Sequence, residues 1–244
     1  MLSVRGLGHK FGGRPVLEDI NLEVAAKEIL AVMGSSGGGK TTLLKCVSGL
    51  IKPTTGEITV DGVDVVKHPE EARTRMGLVF QYAALFDYLD VADNVLFGVK
   101  RRQKIKKGEE AEFVKQRLAE VGLADCETLM PSQLSGGMRK RVGLARALAI
   151  EPKVILYDEP TSGLDPVTAY SIDQLIVSTR DRLGMTCVVV SHDVTSVFRV
   201  ADRIAFLEKG RLVFVGTPEE FRKEQGGAIG ELVEKARAEK LTGR

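Results

Sequence analysis

Apolar positions along this chain change period twice. The first sixty residues read mainly as strands, and the character of the chain changes after Gln81. Ile20, Leu22 and Val24 alternate with polar neighbours, as expected of a half-buried strand. "EILAVMG" (Glu28–Gly34) is instead a short unbroken apolar run, the pattern of a strand covered on both faces. A helix is predicted through "KTTLLKCVSGL", closed by Gly49, and "GEITVDG" and "MGLVFQ" read as further strands. Between about 82 and 150 the pattern turns helical, with Phe113, Val114, Arg117, Leu118 and Val121 outlining a mainly apolar stripe. Strand–helix alternation returns at "KVILYDEP" (Lys153–Pro160). A helix over "AYSIDQLIVSTRDRL" leads into a strand over "MTCVVVSH", and "RIAFLEKGRLVFVG" reads as a hairpin turning at Lys209 and Gly210. Thr217, Pro218 and Glu220 form a capping-box helix start. Beyond Gly226 and Gly227, Ile229, Leu232, Val233 and Ala236 recur at helical spacing. That tail needs either its own core or a neighbouring subunit to pack against.

This order of elements predicts an α/β fold of the P-loop NTPase class. A core built from residues 1–81 and 151–222 is interrupted by an inserted α-helical subdomain at 82–150, and a helical tail follows at 223–244. The 244 residues suit one large domain, and 43% hydrophobic with 28% charged residues is an ordinary globular composition. A net charge of only +2 argues against a dedicated nucleic-acid binder. Cys46, Cys126 and Cys187 form no CxxC pair, so zinc is not expected, and each reads as a small buried hydrophobe in a reducing compartment. No apolar run approaches the ~18 residues of a membrane span, and the N-terminal residues lack a signal-peptide core. The expected location is the cytoplasm, with any membrane role supplied by a partner.

The chemistry is concentrated at two glycine-rich helix starts. "GSSGGGKTT" comprises Gly34, Ser35, Ser36, Gly37, Gly38, Gly39, Lys40, Thr41 and Thr42, and fits G-x-x-x-x-G-K-[ST] between an apolar strand and a helix. Backbone N–H groups of such a loop turn inward around phosphate oxygens, and the helix N-terminus adds partial positive charge. Lys40 should reach the β- and γ-phosphates, and the Thr41 hydroxyl should ligate Mg²⁺. "VILYDE" supplies the metal side: Asp158 holding Mg²⁺ directly or through its bound water, and Glu159 as a base for water, at the carboxyl end of a buried strand. His192 ends "TCVVVSH" at the same edge, where it could sense the γ-phosphate. Gln81 ends "GLVFQ" likewise, with an amide within reach of Mg²⁺ or the water. A glycine turn before a helix would explain the first loop alone, but not the loop, the Lys-Thr pair and the acidic strand end together.

The second start, "LSGG" (Leu134–Gly137), has no lysine in the P-loop place and no acidic strand of its own. Its serine hydroxyl, free N–H groups and helix N-terminus make half of a phosphate site. A half-site is best explained if it completes a site on another copy of the chain. A two-fold dimer would then hold two ATP molecules, each between one Lys40 loop and the other Ser135 loop.

"GSSGGGKTT", Gln81, "LSGGM", "ILYDEP", "SGLDP" and His192 resemble, in order and spacing, an ABC transporter ATPase over residues 2–222. The resemblance implies that Ser135, Gly136 and Gly137 meet the γ-phosphate in trans, that Asp165 couples the two sites across the dimer, and that Phe11 stacks on adenine. Met138 stands where the usual signature has glutamine. With "FQYAALFDYLDVADNVLFGV" and "TCVVVSHDV", it makes the chain similar to the ATPases of Mla-type systems. That likeness implies phospholipid transport between bacterial membranes in support of outer-membrane lipid asymmetry. It also implies an integral permease, an MCE-domain lipid-binding protein, a STAS-domain subunit, and a place on the cytoplasmic face of the inner membrane. An ATPase serving another importer or exporter, or a soluble ABC-type ATPase, stands as the alternative.

Two further segments suggest contacts. Residues 80–97 hold Phe80, Tyr82, Phe86, Tyr88 and Phe97, five of the chain's thirteen Phe and Tyr. An even spread would give about one, and aromatics gather at interfaces. Tyr82, Leu85 and Phe86 are the expected permease contact, unless these rings only fill the helical core. "KRRQKIKK", at 100–107, carries six basic residues in eight and reads as a solvated face or a site for anionic headgroups.

Overall fold

The computed structural model describes residues 1–100, 105–106 and 108–242, so most of the basic run (101–104 and 107) lies outside the described residues. Two sheets hold the strands. β1 (Leu2–Phe11), β2 (Arg14–Val24), β4 (Thr55–Val60) and β5 (Val63–Asp64) form an antiparallel sheet in the order β2-β1-β4-β5. The second sheet contains β3 (Ile29–Gly34), β6 (Met76–Val79), β7 (Val154–Asp158), β8 (Thr186–Val190), β9 (Arg203–Glu208) and β10 (Arg211–Gly216). Its order is β10-β9-β3-β8-β7-β6, and every neighbouring pair is parallel except β9 with β10.

The unbroken apolar run of β3 follows from its place in the middle of this sheet. Leu30 and Val32 face the first sheet, packed with Leu7, Ile20, Ile58 and the helix α1 (Lys40–Val47) through Leu43 and Leu44. Ala31 and Met33 face the other way, onto Val197, Phe206 and Phe221. With neither face in water, no position of the strand is left for a polar side chain. The β9–β10 hairpin turns at Lys209 (φ 47°) and Gly210 (φ 79°), two left-handed residues that match the twist of a two-residue loop.

After α2 (Pro69–Thr74) and β6, the helices α3 (Val91–Lys100), α4 (Glu110–Glu120) and α5 (Gly136–Leu148) occupy the chain up to β7. Their apolar stripes, including Val95, Val114, Leu118, Val142 and Leu148, join one cluster with Tyr157, Cys187 and Val189 of the sheet. α6 (Pro166–Leu183) ends at Gly184 in the left-handed conformation, a helix C-cap. α7 (Val194–Val200) and α8 (Pro218–Phe221) follow, and Thr217 and Glu220 form the expected reciprocal cap, with Glu220 N 3.2 Å from Thr217 Oγ1 and Thr217 N 2.7 Å from Glu220 Oε2.

The tail is α9 (Gly227–Thr242). It packs on its own chain: Ile229 and Val233 are buried against Val197, Phe206 and Phe221. One expected strand is shorter than its sequence pattern. β6 stops at Val79, so Phe80 and Gln81 lie past its end. Ala83 and Ala84 adopt left-handed backbone (φ 60° and 46°), and Arg146 of α5 donates to both of their carbonyls at 2.7 Å, which draws this segment away from the sheet.

Candidate active site

The loop after β3 is fixed in shape by its neighbours. Gly34 has φ 151° and pairs with Leu207, and a Cβ there would lie 2.0 Å from the Leu207 carbonyl oxygen. Only glycine fits. The β9–β10 turn braces the same loop: the Gly210 N–H donates to the Gly38 carbonyl at 3.3 Å, and the Glu18 N–H to the Gly210 carbonyl at 2.8 Å. α1 then starts at Gly39 with no side-chain cap. The amides of Gly39, Lys40, Thr41 and Thr42 accordingly have no protein acceptor among the described residues, leaving orphan donors at a positive helix end. Lys40 Nζ donates to the carbonyls of Gly34 (2.8 Å) and Ser35 (2.9 Å), which uses two of its three donors and folds the ammonium back over the loop. Burial lowers the Lys40 pKa, opposed by the carboxylates of Glu159 and Asp158.

A cavity of about 310 Å³ opens over this loop, lined by Ser36 to Thr42 together with Gln81, Glu159 and His192. The sheet order brings these together. β6, β7 and β8 lie side by side, so the residues that follow them share one edge. His192 Nδ1 lies 2.8 Å from Glu159 Oε2, and Gln81 Nε2 donates to Ser162 Oγ at 3.1 Å. Glu159 takes φ 50°, uncommon for a side chain of its kind and a form of backbone strain that gathers at functional sites. Asp158 ends β7 with its Oδ1 buried and without a hydrogen-bond partner. Burial first, and Glu159 second, raise its pKa, opposed by Lys45, Lys140 and Lys40. A second cavity of about 330 Å³ adjoins the first, sharing Glu159 and His192 and bounded on its far side by Leu232 and Lys235 of α9.

Ser135 caps α5, its hydroxyl accepting the Met138 N–H at 3.2 Å. Neither it nor Gly136 or Gly137 lines the Lys40 cavity. Gly137 has a packing reason to be glycine as well, because a Cβ there would lie 2.7 Å from Thr168 Cγ2 of α6. Asp165 is the N-cap of α6 and accepts the N–H groups of Val167 (3.1 Å) and Thr168 (3.0 Å), with Thr168 holding its pKa below the ordinary aspartate value. "DP" at a helix start could have signalled that cap in the sequence. Phe11 is 53% exposed, its ring 4.5 Å edge-on from that of His9, and it lies outside the residues lining the Lys40 cavity.

Two residues at this edge carry no local sequence signal. Lys140 is buried and donates to the carbonyls of Gln81 and, at 3.2 Å, Glu159. Ser162 holds the Gln81 amide. Elsewhere, the aromatic segment divides. Phe86 packs on Phe97 at 4.3 Å, whereas Tyr82 is 82% exposed. Phe80, Ala84, Phe86, Phe97, Arg146 and Ile150 line an apolar groove of about 400 Å³. Among the described residues no helix is long and apolar enough to cross a membrane, and the three cysteines are free and buried.

The sequence pattern of the family described as "ABC transporter" matches residues 17–162. The chain is 39% identical over 229 residues to the intermembrane phospholipid transport system ATP-binding protein MlaF of Haemophilus influenzae, covering 92% of this chain and 87% of that one. It is 41% identical over 222 residues to the sulfate/thiosulfate import ATP-binding protein CysA of Caulobacter vibrioides, covering 90% of this chain and 65% of that longer one. Among solved structures, the dimeric post-hydrolysis state of the ATP-binding cassette MJ0796 bound to ADP and Pi superposes with a TM-score of 0.81 at 30% identity. That match covers 89% of this chain and 99% of the cassette.

Proposed function

The chain belongs to the ABC transporter family and is an ATP-hydrolysing subunit of a transporter. On that premise we propose that two copies close around two ATP molecules and power phospholipid transport between bacterial membranes, from the cytoplasmic face of the inner membrane. One observation carries the shared-site reading. The cavity gathers Lys40, Gln81, Glu159 and His192 but nothing from Leu134–Gly137, so the second helix start is free to serve a partner.

In this reading the Lys40 ammonium and the N–H groups of Gly39 to Thr42 bind the β- and γ-phosphates, within the loop formed by Gly34, Ser35, Ser36, Gly37 and Gly38. Phe11 takes the adenine face. Thr41, Asp158 and the Gln81 amide suit a hard divalent cation, since all offer oxygen and the Asp158 Oδ1 is buried without a partner. Magnesium held there supplies neutralisation of phosphate charge. Glu159 takes the proton of the attacking water, and His192, hydrogen-bonded to Glu159, presents its other ring nitrogen to the γ-phosphate. The partner's Ser135 hydroxyl and its Gly136 and Gly137 amides cover the γ-phosphate from the opposite side. Asp165, at the head of α6, links the two sites.

The lipid reading is supported by the nearly end-to-end match to MlaF and by the "LSGGM" wording with Met138. The groove between Phe80 and Phe97, with exposed Tyr82 and half-buried Leu85 beside it, suits an integral permease. An MCE-domain lipid-binding protein and a STAS-domain subunit complete the proposed assembly. The match to CysA favours a second reading, an ATPase serving a different substrate.

Purification of the intact membrane complex separates the two. A multi-span permease with an MCE-type protein and bound phospholipid supports the first, whereas a permease that retains a small solute and no lipid supports the second. Mixing Lys40→Ala chains with Ser135→Arg chains tests the shared site: turnover should reappear in the mixture and be absent from either alone. Strong turnover by a monomeric Ser135→Arg chain would overturn it.

A further inference from the structure

β6 and β7 run parallel, and their last paired residues are Val79 and Tyr157. Two residues further on, the chains part. Gln81 enters the segment that leads to α3, and Glu159 enters a turn in left-handed conformation. At that point the ladder ends, and the Glu159 carbonyl takes the Ser162 N–H at 3.2 Å within its own turn. Lys140 is what joins the two segments: its ammonium donates to the carbonyls of both Gln81 and Glu159, from a residue that α5 leaves only 7% exposed. Burying a lysine is costly unless it is paired, and here burial lowers its pKa while the Glu159 and Asp158 carboxylates oppose that shift.

The same helix grips the segment again further along. Arg146 donates to the carbonyls of Ala83 and Ala84 at 2.7 Å, and a Cβ at Gly143 would lie 3.2 Å from the Ala83 Cβ. Two cations of α5 therefore hold four carbonyls of the hydrolytic edge and its approach, and α5 begins at Ser135.

We propose that Lys140 is a positioning residue for ATP hydrolysis, holding the Gln81 and Glu159 backbones to each other and to the helix that Ser135 heads. This rests on the roles given above to Gln81 and Glu159. Lys140 touches no phosphate in this account. It acts by setting where the Glu159 carboxylate and the Gln81 amide stand.

The test compares Lys140→Met, Lys140→Arg and Glu159→Gln in the full chain by ATP affinity, kcat at saturating ATP, and melting temperature. Lys140→Met keeps the apolar stem and loses the donors. It should lower kcat by ~100-fold, the scale of an ångström-sized misplacement, with ATP affinity within about threefold of the parent. Lys140→Arg restores donors and charge and should recover most of the rate. Lys140→Met with the parent's kcat, a rate loss matched by lost ATP binding, or Lys140→Arg as slow as Lys140→Met each overturns the proposal. Should Lys140→Met not fold, Lys140→Leu, which is also apolar and without donors, takes its place under the same criteria. Glu159→Gln separates the layers. If it hydrolyses normally, the assignment of Glu159 fails; if it is inactive while Lys140→Met is unimpaired, only the role of Lys140 fails.

Discussion

Nδ1 of His192 lies 2.8 Å from Oε2 of Glu159, although the two residues follow different strands and stand thirty-three positions apart in the chain. The pairing follows from the sheet. β7 and β8 are neighbours in register, with Asp158 opposite Val190, so the residues just beyond each must meet. Glu159 is held at its carboxylate by His192 and at its carbonyl by Lys140 and the Ser162 N–H. Removing the proton-accepting power of Glu159 without its shape should isolate its chemical role. Glu159→Gln is expected to bind ATP normally and to lower hydrolysis by about 10²–10⁴-fold, the range for loss of a general base. Gel filtration with ATP should show a persistent dimer.

The phosphate loop depends on a clash avoided at its first residue. Gly34→Ala would place a methyl 2.0 Å from the Leu207 carbonyl, a backbone atom that cannot swing aside. The expected cost is about 3 kcal/mol, the upper end for overpacking, which for a chain of this size lowers the melting temperature by about 6–12 °C. Thermal unfolding followed by circular dichroism measures it, and a change under 2 °C, on that same scale, would mean that β9 yields where the packing says it should not.

Gly137 has two reasons to be glycine, and a double variant separates them. Gly137→Ala should both destabilise the chain, through Thr168 Cγ2 at 2.7 Å, and reduce turnover. Adding Thr168→Ala removes that methyl and should restore the melting temperature. If turnover stays low in the double variant, the bare backbone at 137 is needed for the approach of phosphate. If turnover recovers too, packing on α6 is the whole requirement.

Met138 contributes its backbone N–H to the Ser135 cap, while its side chain packs against the core of the helical region. Met138→Gln is therefore expected to keep kcat within about twofold of the parent, a change too small to mark a lost transition-state contact. A steady-state ATPase assay decides this, and a larger change in either direction would give the side chain a chemical part.

Much of this site was legible because its signals are local. A strand, four glycines among six residues and a Lys-Thr pair lie within one short stretch, and the turn at Lys209 and Gly210 declares itself in two residues. The docking of the tail was open, since the pattern of Ile229 and Val233 states only that an apolar face exists. Its partners, Val197 and Phe206, are chosen by tertiary packing. Lys140 was invisible for a similar reason. In "GGMRKRVG" it reads as one more cation on a basic helix, and its two acceptors lie fifty-nine positions before it and nineteen after. The buried Asp173, held by Ser196 at 2.5 Å and by Arg199, likewise sits inside a helix pattern that shows nothing of its partners.

The strand order has a consequence for how the protein is made. β3 carries the phosphate loop, yet its two neighbours in the sheet are β8 and β9, and the brace on the loop comes from the turn after β9. A ribosome delivers Lys40 long before any of these. Until roughly the first six-sevenths of the chain has emerged, the nascent loop lacks its neighbours in the sheet, and long-range pairing of this kind is slow to form. Nucleotide can therefore reward only a chain that has been made past β9, and products truncated before it should compete for neither ATP nor a place in the transporter.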